Sequence, residues 1–527
     1  MYQSIYLNLN NEPKMYMLNQ ENPEYDQKMI LKYQDKITEG ELDICNESEL
    51  ISLKFIQNFD VQELSIDRNF KIMIDLKSKT IKVLKFKVSP IVYTYLSPTD
   101  FSLIDMELEN LEVLQLSENK LNNQSILNLS KFKKLRYLDL YKNFVDSNCV
   151  FNLTGLTQLG LCQCNLENIN GLSANINLEG LDVSINSIID LTPLKYLVKL
   201  TYLNLCSLVI SDISILQYLV NLKGLYLSNN TLYDLTPLQY LVQLTKLELR
   251  QMRQQIVDLS VLKYLTQLEQ LNLSQNNDLD LSPLQYLVNL TMLDLSNCNL
   301  KNVPQLNNLV NLESLCLNNN DELNITQLYC TKLQLLYLSN CDLRSVSTLK
   351  SICSLQYLDL DGNADIDITA LQYLTNLTQL SLKQCNLISI SVLRPLINLE
   401  TLNLDTNNII YLEPLQCMNS LYDLIVERNL IQNFQPIQQL RFNNYVICNQ
   451  GQPSKEDLKA ANTQRDINSQ IDNLKTIQST RIRFYTSLNQ MKVAINIQTT
   501  NLRYNHISFV GNIAHLFQQL NVIQTYE

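Results

Sequence analysis

One segment of this 527-residue chain has the side chains that calcium binding requires. The run from Asp359 to Asp367 carries four aspartates within nine positions, and carboxylate oxygens are the ligands that calcium prefers. A calcium loop of the EF-hand type, however, needs its glycine at the sixth position, and Gly362 stands at the fourth. The sequence therefore predicts no metal site in this segment.

Two cysteines and two histidines are the other candidates for metal binding or catalysis. Cys162 and Cys164 are two positions apart, but no second pair follows at the spacing of a zinc finger. The only histidines are His506 and His515, and neither has a cysteine close by. No Ser–His–Asp arrangement or phosphate-binding loop can be assembled from the visible motifs. We predict that the protein is not an enzyme and uses no cofactor and no metal.

Composition narrows the range of partners. Glycine is scarce at 9 residues, Trp is absent and the formal net charge is −11. The acidic excess lies in residues 1–449, which hold 33 basic and 47 acidic side chains. An acidic surface repels nucleic acid and anionic lipid. The predicted partner is a protein that presents basic residues, and nucleic acid, membrane and small-molecule substrate are not expected.

The strands and turns that hold the candidate functional side chains are encoded by an internal repeat, LxxLxLxxNxL. Fifteen copies open between Leu111 and Leu421, mostly 22 residues apart. The leucines at the fourth and sixth positions lie on one side of a strand and face the core, because successive side chains alternate across the backbone. A short 3₁₀ turn then returns the chain, with Thr236 suited to a helix N-cap and Pro237 to the first helical position. This period predicts a solenoid, since no unit can bury its apolar face without a neighbour.

These copies resemble the short 22-residue class of leucine-rich repeats found in internalins and in the leucine-rich regulatory subunit of protein phosphatase-1. The resemblance implies an α/β solenoid of horseshoe form, with a concave parallel sheet and short 3₁₀ turns on the convex side. The leading hypothesis for function is a non-enzymatic scaffold that binds a protein or an extended peptide on the concave face. Two alternatives stay open, namely a regulatory subunit that holds an enzyme such as a phosphatase, and a surface or secreted adhesin of the internalin kind.

The Asn position of the repeat predicts the redox state of the cysteines and the cellular location of the protein. It points inward and carries Asn in nine copies, where the amide can serve backbone groups. Four copies carry a cysteine instead, Cys164, Cys298, Cys341 and Cys385. A buried thiol is a small adaptable side chain that stays reduced in a cytosol. Together with a start that lacks the pattern of a signal peptide, this predicts a cytoplasmic protein with free thiols.

Three regions are predicted along the chain. Residues 1–60 form an N-terminal extension and cap, and residues 61–445 form the repeat region, with divergent repeats at 61–110 and the fifteen clear copies at 111–431. Residues 446–527 form a helical segment that we expect to cover the last coil. The alternative is a free helix that recruits a partner or pairs with another copy. The helical prediction depends on apolar residues at helical spacing, namely Leu458, Ala461, Ile471, Leu474, Ile477, Phe484, Leu488, Met491 and Ile495.

The predicted binding surface consists of the outward-facing residues of the concave sheet. The central outward position, between the fourth and sixth leucines, carries five carboxylates and no cation, and tyrosines occur there and in the column beside it. Tyrosine is a common interface anchor because it combines apolar area with a polar tip. We expect Tyr337, Tyr357 and Asp359 to be the main anchor and Tyr226 with Glu248 the second. The full set of predicted contact residues is Tyr137, Asp139, Asp182, Tyr202, Tyr226, Glu248, Asp294, Tyr337, Tyr357 and Asp359.

Overall fold

The computed structural model describes residues 41–44, 61–67, 77–87, 107–252, 258–440, 444–446, 481–485, 492–498 and 501–506. The chain divides into two compact units, unit 1 at residues 1–267 and unit 2 at residues 268–527. Among the helices that are described, none has the length and apolar character needed to cross a membrane.

Unit 1 is built on a parallel sheet whose strands follow one another in chain order. These strands are β1 (Glu41–Ile44), β2 (Glu63–Asp67), β4 (Val83–Lys87), β6 (Val113–Gln115), β7 (Tyr137–Asp139), β8 (Gln158–Gly160), β9 (Gly180–Asp182), β10 (Tyr202–Asn204), β11 (Gly224–Tyr226) and β12 (Lys246–Glu248). A separate parallel pair joins β3 (Lys77–Ser78) to β5 (Glu107–Leu108).

The connections of unit 1 are short helical turns. One is α-helical, α1 (Asn123–Ile126), and it lies in a repeat that is 24 residues long. The others are 3₁₀ turns at Leu127–Lys131, Ser147–Val150, Asn170–Ala174, Thr192–Tyr196, Ser214–Tyr218, Thr236–Tyr240 and Ser260–Tyr264.

Unit 2 repeats this plan. Its parallel strands are β13 (Gln270–Asn272), β14 (Met292–Asp294), β15 (Ser314–Cys316), β16 (Leu335–Tyr337), β17 (Tyr357–Asp359), β18 (Gln379–Ser381), β19 (Thr401–Asn403), β20 (Asp423–Ile425) and β21 (Asn444–Val446). Its 3₁₀ turns are Ser282–Tyr286, Ser347–Ser351, Thr369–Tyr373, Ser391–Leu393, Glu413–Leu415 and Gln435–Ile437. The predicted α/β solenoid, with a parallel sheet and 3₁₀ turns, is thus confirmed within each unit.

The leucines of the repeat form the core. The middle residue of a three-residue strand is buried, as Leu203 and Leu225 show, and so is the leucine two positions later, such as Leu205; all three have 0% exposure. Neighbouring strands pair with a shift of one repeat, so that Leu203 lies beside Leu225. Full burial of one such side chain stabilises the fold by roughly 1.5–3 kcal/mol.

The inward Asn and Cys residues form a ladder, as predicted. Asn363 donates from Nδ2 to the carbonyl oxygens of Leu338 and Leu360 at 2.8 Å each. Its Oδ1 accepts the backbone N–H groups of Cys341 at 3.1 Å and Leu343 at 3.0 Å. One amide therefore satisfies four backbone groups of two coils, which would otherwise be buried without partners. In four coils a thiol takes this place, and Cys164, Cys298, Cys341 and Cys385 donate from Sγ to a carbonyl of the preceding coil at 3.1–3.3 Å.

The predicted start of the 3₁₀ turns needs a correction. Thr236 is the first residue of its turn rather than the N-cap, and Leu235 before it has no side-chain capping bond. The Asp234 carboxylate accepts the N–H of Thr236 at 2.8 Å instead, and Asp280 accepts that of Ser282 at 2.9 Å. An aspartate two residues upstream can close this turn because its side chain reaches its own backbone two positions on.

The residue before each inward Asn or Cys position of the repeat has a left-handed backbone conformation, and this holds for all fifteen copies from Asn119 to Asn429. In unit 1, Ile185 has φ of 53° immediately before Asn186, and its N–H donates to the Cys206 carbonyl of the next coil at 2.9 Å. In unit 2, Asn297 has φ of 55° in the same place. L-residues with a side chain adopt this region at a cost, and asparagine does so more easily than a β-branched residue. The repeat pattern alone does not predict this conformation.

Strand β1 was also not predicted. Glu41–Ile44 pairs in parallel with β2, and Glu41 lies beside Glu63, a shift of 22 residues. The repeat period therefore begins inside the segment predicted to be an extension and cap. Scattered apolar residues between Tyr25 and Lys36 favour a short helix, but this stretch lies outside the described residues.

The predicted helical segment at 446–527 is wrong wherever the structure describes it. Residues Arg481–Tyr485, Lys492–Gln498 and Asn501–His506 are strands β22, β23 and β24. β22 pairs in parallel with β21, and β22, β23 and β24 pair in antiparallel order. The alternation of Val493, Ile495 and Ile497 with less apolar residues fits a strand, and β-branched side chains favour one. The predicted helix around Leu458 to Ile477 lies outside the described residues.

Candidate protein interface

The first and third residues of the three-residue strands form what we call the open face of the sheet. Their side chains point away from the core because the middle leucine points into it. The ten residues predicted to contact a partner all lie on this face. Tyr137, Tyr202 and Tyr357 occupy first positions, and third positions are occupied by Asp139, Asp182, Tyr226, Glu248, Asp294, Tyr337 and Asp359.

In unit 2 the structure brings the main predicted anchor together. The rings of Tyr337 on β16 and Tyr357 on β17 lie 4.8 Å apart between centroids and are inclined by 39°. Asp359 is the register partner of Tyr337 on the neighbouring strand. We call Tyr337, Tyr357 and Asp359 the Tyr337 cluster. The geometry suits an interface anchor, since a tilted aromatic pair offers apolar area that is already held in place.

The electrostatics of the Tyr337 cluster leave its carboxylate poorly compensated. Partial burial raises the pKa of Asp359, and the nearby Asp361 carboxylate raises it further. Burial, with the negative charge of Asp359, likewise raises the pKa of Tyr357 to about 12. Both shifts mean that additional negative charge is unfavourable here. Burial disfavours a charge of either sign, so it is the repulsion between the Asp359 and Asp361 carboxylates that a positive charge would relieve.

A row of outward side chains that includes the apolar residues Met292 and Leu335 adjoins the cluster. Met292, Ser314, Leu335 and Tyr357 are register partners on consecutive strands. Met292 is 45% exposed. Exposed apolar side chains beside an aromatic pair are typical of the centre of a protein interface.

In unit 1 the second predicted anchor already holds a cation. The Tyr202 and Tyr226 rings lie 5.0 Å apart between centroids and are inclined by 48°. Lys246 places its Nζ 5.1 Å from the Tyr226 centroid and 3.4 Å from Oε1 of Glu248. We call Tyr202, Tyr226, Lys246 and Glu248 the Tyr226 cluster. Burial opposes the charge on Lys246, but Tyr226 and Glu248 outweigh it, so that the pKa of Lys246 is raised.

Lys246 was missed by the sequence analysis, which found no cation at the central outward position. That observation is correct, since Lys246 lies in the flanking column as the first residue of β12. The signal was present in the sequence, because residues two apart on a strand share a face and Lys246 is two residues before Glu248.

The carboxylates among the predicted contact residues also accept hydrogen bonds from the backbone. Asp182 accepts the N–H of Ser184 at 2.9 Å, and Asp294 accepts that of Ser296 at the same distance. Asp139 and Asp359 make the same bond to the residue two positions on, at 2.9 and 3.0 Å. Each aspartate thus closes the turn that ends its strand. Their occurrence in a column is explained by the fold, although their remaining oxygens can still meet a partner.

Tyr137, Asp139, Asp182 and Asp294 lie outside the two clusters. Asp139 also accepts a hydrogen bond from the Ser117 hydroxyl at 2.6 Å, and Asp182 accepts one from Asn204 Nδ2 at 2.9 Å. Both of these carboxylates are therefore engaged within the sheet, as Asp359 also is through a hydrogen bond with the Ser339 side chain.

Unit 2 also has a polar cavity of about 680 Å³ beside the starts of its strands. It contains none of the predicted residues. Its lining is hydroxyls, amides and charged groups without an aromatic ring, from Glu313, Thr331, Lys332, Gln334, Ser354, Gln356, Asn376, Thr378, Asn398, Glu400 and Ser420. A ligand here would exchange hydrogen bonds with water for similar ones and bury little apolar area, so we favour the open face.

A second set of tyrosines recurs after the Asn position of the repeat, at the ends of the 3₁₀ turns. Tyr218 is 55% exposed and Tyr240 50% in unit 1; Tyr286 is 49% and Tyr373 55% in unit 2. Each ring therefore covers its turn and leaves about half its area in solvent. These residues provide matched controls for tyrosines of the open face.

Within the described residues, no group of three or more His, Cys, Asp and Glu side chains is arranged to hold a metal. The aspartates of the segment 359–367 have other partners. Asp361 accepts the Ser381 hydroxyl at 2.6 Å and the Lys383 N–H at 2.7 Å, and Asp367 accepts the Thr369 N–H at 2.9 Å. His506 ends β24, and His515 lies outside the described residues.

No protein family model matches the sequence, and a search of curated proteins finds no match. Solved structures are similar to it. An internalin from Listeria monocytogenes is 26% identical, with a TM-score of 0.44, over 62% of this chain and 84% of the internalin. Internalin C2 of the same organism is 32% identical, with a TM-score of 0.33, over 36% of this chain and 82% of its own.

TLR13, solved in complex with ssRNA13, shares the fold at a TM-score of 0.54 and 22% identity, over 77% of this chain and 64% of TLR13. The chain is a leucine-rich repeat protein. The resemblance to internalin repeats seen in the sequence is met again among these structures. In this leucine-rich repeat protein the Tyr337 and Tyr226 clusters both lie on the open face.

Proposed function

We propose that this leucine-rich repeat protein is a non-enzymatic scaffold that binds a protein or an extended peptide on its open face. The Tyr337 cluster of unit 2 is its main contact, and the partner presents basic residues there. The observation that supports the proposal most is the pre-arranged pair of Tyr337 and Tyr357 beside the Asp359 carboxylate. A few aromatic residues at the centre of an interface commonly supply most of its binding free energy.

The size of the face suits a macromolecule. The strands β13 to β20 of unit 2, about 4.8 Å apart, give a surface roughly 34 Å long. A surface of that length accommodates a protein segment and cannot enclose a small substrate, which needs a concave pocket.

Nucleic acid and membrane stay excluded as partners in this proposal, because the chain carries a net charge of −11. TLR13 is named in its solved complex with an RNA, but at 22% identity that likeness concerns the fold alone. A gel-shift titration with a labelled single-stranded RNA at physiological salt tests the exclusion, and we expect no shift.

Affinity purification of the full chain from its own cell extract, followed by mass spectrometry, tests the proposed function. We expect a protein with a basic segment, recovered from the cytosol, since a cytoplasmic location is part of the proposal. Enrichment of a phosphatase would instead favour the regulatory-subunit alternative. Recovery of the native chain on the surface of unpermeabilised cells would favour the adhesin.

The contact itself is tested with the recovered partner. The double variant Tyr337→Ala/Tyr357→Ala should weaken binding by more than about 1 kcal/mol, roughly fivefold, while the fold is retained. The matched control is Tyr286→Ala/Tyr373→Ala, which removes two half-exposed tyrosines of the same unit from the 3₁₀ turns. Loss of binding in the control alone would move the interface to the convex side.

A further inference from the structure

The two tyrosine clusters are built on the same three-residue pattern. In unit 1, Tyr226 on β11 is followed on the next strand by Lys246, Leu247 and Glu248. In unit 2, Tyr337 on β16 is followed on the next strand by Tyr357, Leu358 and Asp359. The acid is the register partner of the first tyrosine in both cases. The acid is a glutamate in unit 1 and an aspartate in unit 2, and the first residue of the second strand is a lysine in unit 1 and a tyrosine in unit 2.

Unit 1 shows how this pattern accommodates a positive charge. The Lys246 ammonium lies over the Tyr226 ring and within 3.4 Å of Glu248, so that it meets the electron-rich face of the ring and the carboxylate together. Attraction of a cation to an aromatic face strengthens when both are partly removed from water. Lys246 is half-buried, as are Tyr226 and Glu248.

Unit 2 has the ring and the carboxylate without such a cation. In the part of the chain that the structure describes, no lysine or arginine lies over Tyr337 or Tyr357, and Asp359 and Asp361 form no ion pair. The nearby Lys383 is held 3.1 Å from the Asp405 carboxylate, which Arg428 also contacts. The cation that completes the pattern in unit 1 therefore has no counterpart among these residues.

We propose that the Tyr337 cluster is a receptor for one cationic side chain, Lys or Arg, of a protein partner, and that Lys246 fills the equivalent site of unit 1 from within. The incoming charge lies over the Tyr337 ring and against the Asp359 carboxylate, as Lys246 lies over Tyr226 and against Glu248. Tyr357 provides a second aromatic wall in the place that Lys246 occupies in unit 1. This inference rests on the proposed function, in that it takes the open face to be the binding face.

A fluorescein-labelled tetralysine peptide is a suitable probe, with a tetranorleucine peptide as its uncharged counterpart. Fluorescence anisotropy of the labelled tetralysine, titrated with the full chain, should show saturable binding at about 0.15 M salt, where distant charges are largely screened. Tetranorleucine should not bind. Equal binding of both peptides would show that the site recognises apolar chains, and would overturn the proposal.

Two reciprocal substitutions decide whether the pattern itself is responsible. Tyr357→Lys should supply a cation from within, as in unit 1, and weaken tetralysine binding at least tenfold. Lys246→Tyr should release the site of unit 1 and raise the number of bound peptides by one. The control for added charge is Thr401→Lys, which places the same +1 on the open face, two strands from Tyr357. It should change tetralysine affinity less than threefold.

The outcomes separate this inference from the proposed function. Equal weakening by Tyr357→Lys and Thr401→Lys would mean that only the overall negative charge attracts the probe. An unchanged stoichiometry in Lys246→Tyr, with the variant still folded by circular dichroism, would remove the equivalence of the two sites. A natural partner that binds through Tyr337 and Tyr357 but tolerates replacement of all its contacting Lys and Arg residues would overturn the inference and leave the scaffold function in place.

Discussion

The Tyr226 cluster of unit 1 and the Tyr337 cluster of unit 2 have the same backbone frame and opposite electrostatic states. In unit 1 Lys246 compensates Glu248 and covers Tyr226. In unit 2 Tyr357 stands in the position of that lysine, and the pKa of Asp359 is raised by burial and by Asp361. The proposed receptor for an external cation thus depends mainly on one outward residue of a three-residue strand, which is Lys246 in unit 1 and Tyr357 in unit 2. The buried leucines beneath are unaffected by this difference.

The largest effect is expected from substitutions of the buried leucines that lie beneath the two clusters. Leu247 lies in the middle of β12 and Leu336 in the middle of β16, and both have 0% exposure. Leu247→Ala and Leu336→Ala should each lower the free energy of unfolding by about 2–5 kcal/mol, since both remove buried methyl groups and leave a cavity. Urea denaturation followed by circular dichroism measures the loss. A cost below about 0.5 kcal/mol for either variant would show that the two clusters do not stand on equivalent coils.

A second test concerns the ladder in both units. Burial raises the pKa of Cys164 in unit 1 and of Cys341 in unit 2 to about 11. Cys353 and Cys417 are exposed. Iodoacetamide at pH 8 should alkylate the ladder thiols roughly a hundredfold more slowly than the exposed ones, because a buried thiol reacts only after local opening.

The same labelling, repeated after unfolding without a reductant, reports the redox state. We predict that all, or nearly all, of the 13 cysteines are then alkylated. Mass spectrometry counts the modified thiols. Two or more disulfides in freshly isolated protein would contradict the predicted free thiols and the proposed cytoplasmic location.

A third test uses pH to probe the uncompensated carboxylate. The pKa of Asp359 is raised in the free protein, and a bound cation favours the ionised form, so that binding lowers this pKa. Affinity for tetralysine should therefore increase as pH rises through the raised value and level off above it. A shift of one unit corresponds to about tenfold in affinity at the acidic end. Asp359→Asn should bind more weakly and lose this dependence, and an unaltered pH profile in that variant would exclude Asp359.

The smallest expected effect is a change in stability at the residue that precedes the inward Asn or Cys and has a left-handed backbone conformation. Ile185 in unit 1 has φ of 53°, and Asn297 in unit 2 has φ of 55°. Ile185→Asn should stabilise the protein by about 1 kcal/mol and Asn297→Ile should destabilise it by a similar amount, since β-branched residues resist this conformation. Thermal melts of both variants measure the difference. Shifts of equal sign would show that packing, rather than backbone strain, dominates there.

The fold was predictable because the spacing of the leucines in the repeat shows which side chains are buried. Leucines spaced for one side of a strand, such as Leu203 and Leu205, could be assigned to the core without coordinates, and the inward Asn and Cys residues followed from the same frame. The C-terminal strands were missed because Phe484, Leu488 and Ile495 have helical spacing while Val493, Ile495 and Ile497 alternate as in a strand. Short apolar patterns support either interpretation, and pairing with β21 favours the strand.

The candidate site was only half predictable. The outward tyrosines and acids could be placed on one face from the repeat alone. Their interactions could not, because Lys246 reaches diagonally to Tyr226 on the neighbouring strand, and a column of sequence positions does not show how far a long side chain extends. The turn-closing role of aspartates such as Asp182 also needs backbone geometry, since their charge alone suggests a ligand site.

The hydrogen bond that closes those strands that end in Asp or Asn has a consequence for how such a surface can diversify. Asn204, Asn272 and Asn403 accept the N–H two residues on, at 2.9–3.1 Å, just as Asp182 and Asp294 do. Aspartate and asparagine are therefore interchangeable for the turn and differ by one unit of charge. Point mutations between the two could redraw the charge pattern coil by coil while the coils stay folded. A lineage, or a designer, could retune partner preference in steps of one charge without first securing extra stability.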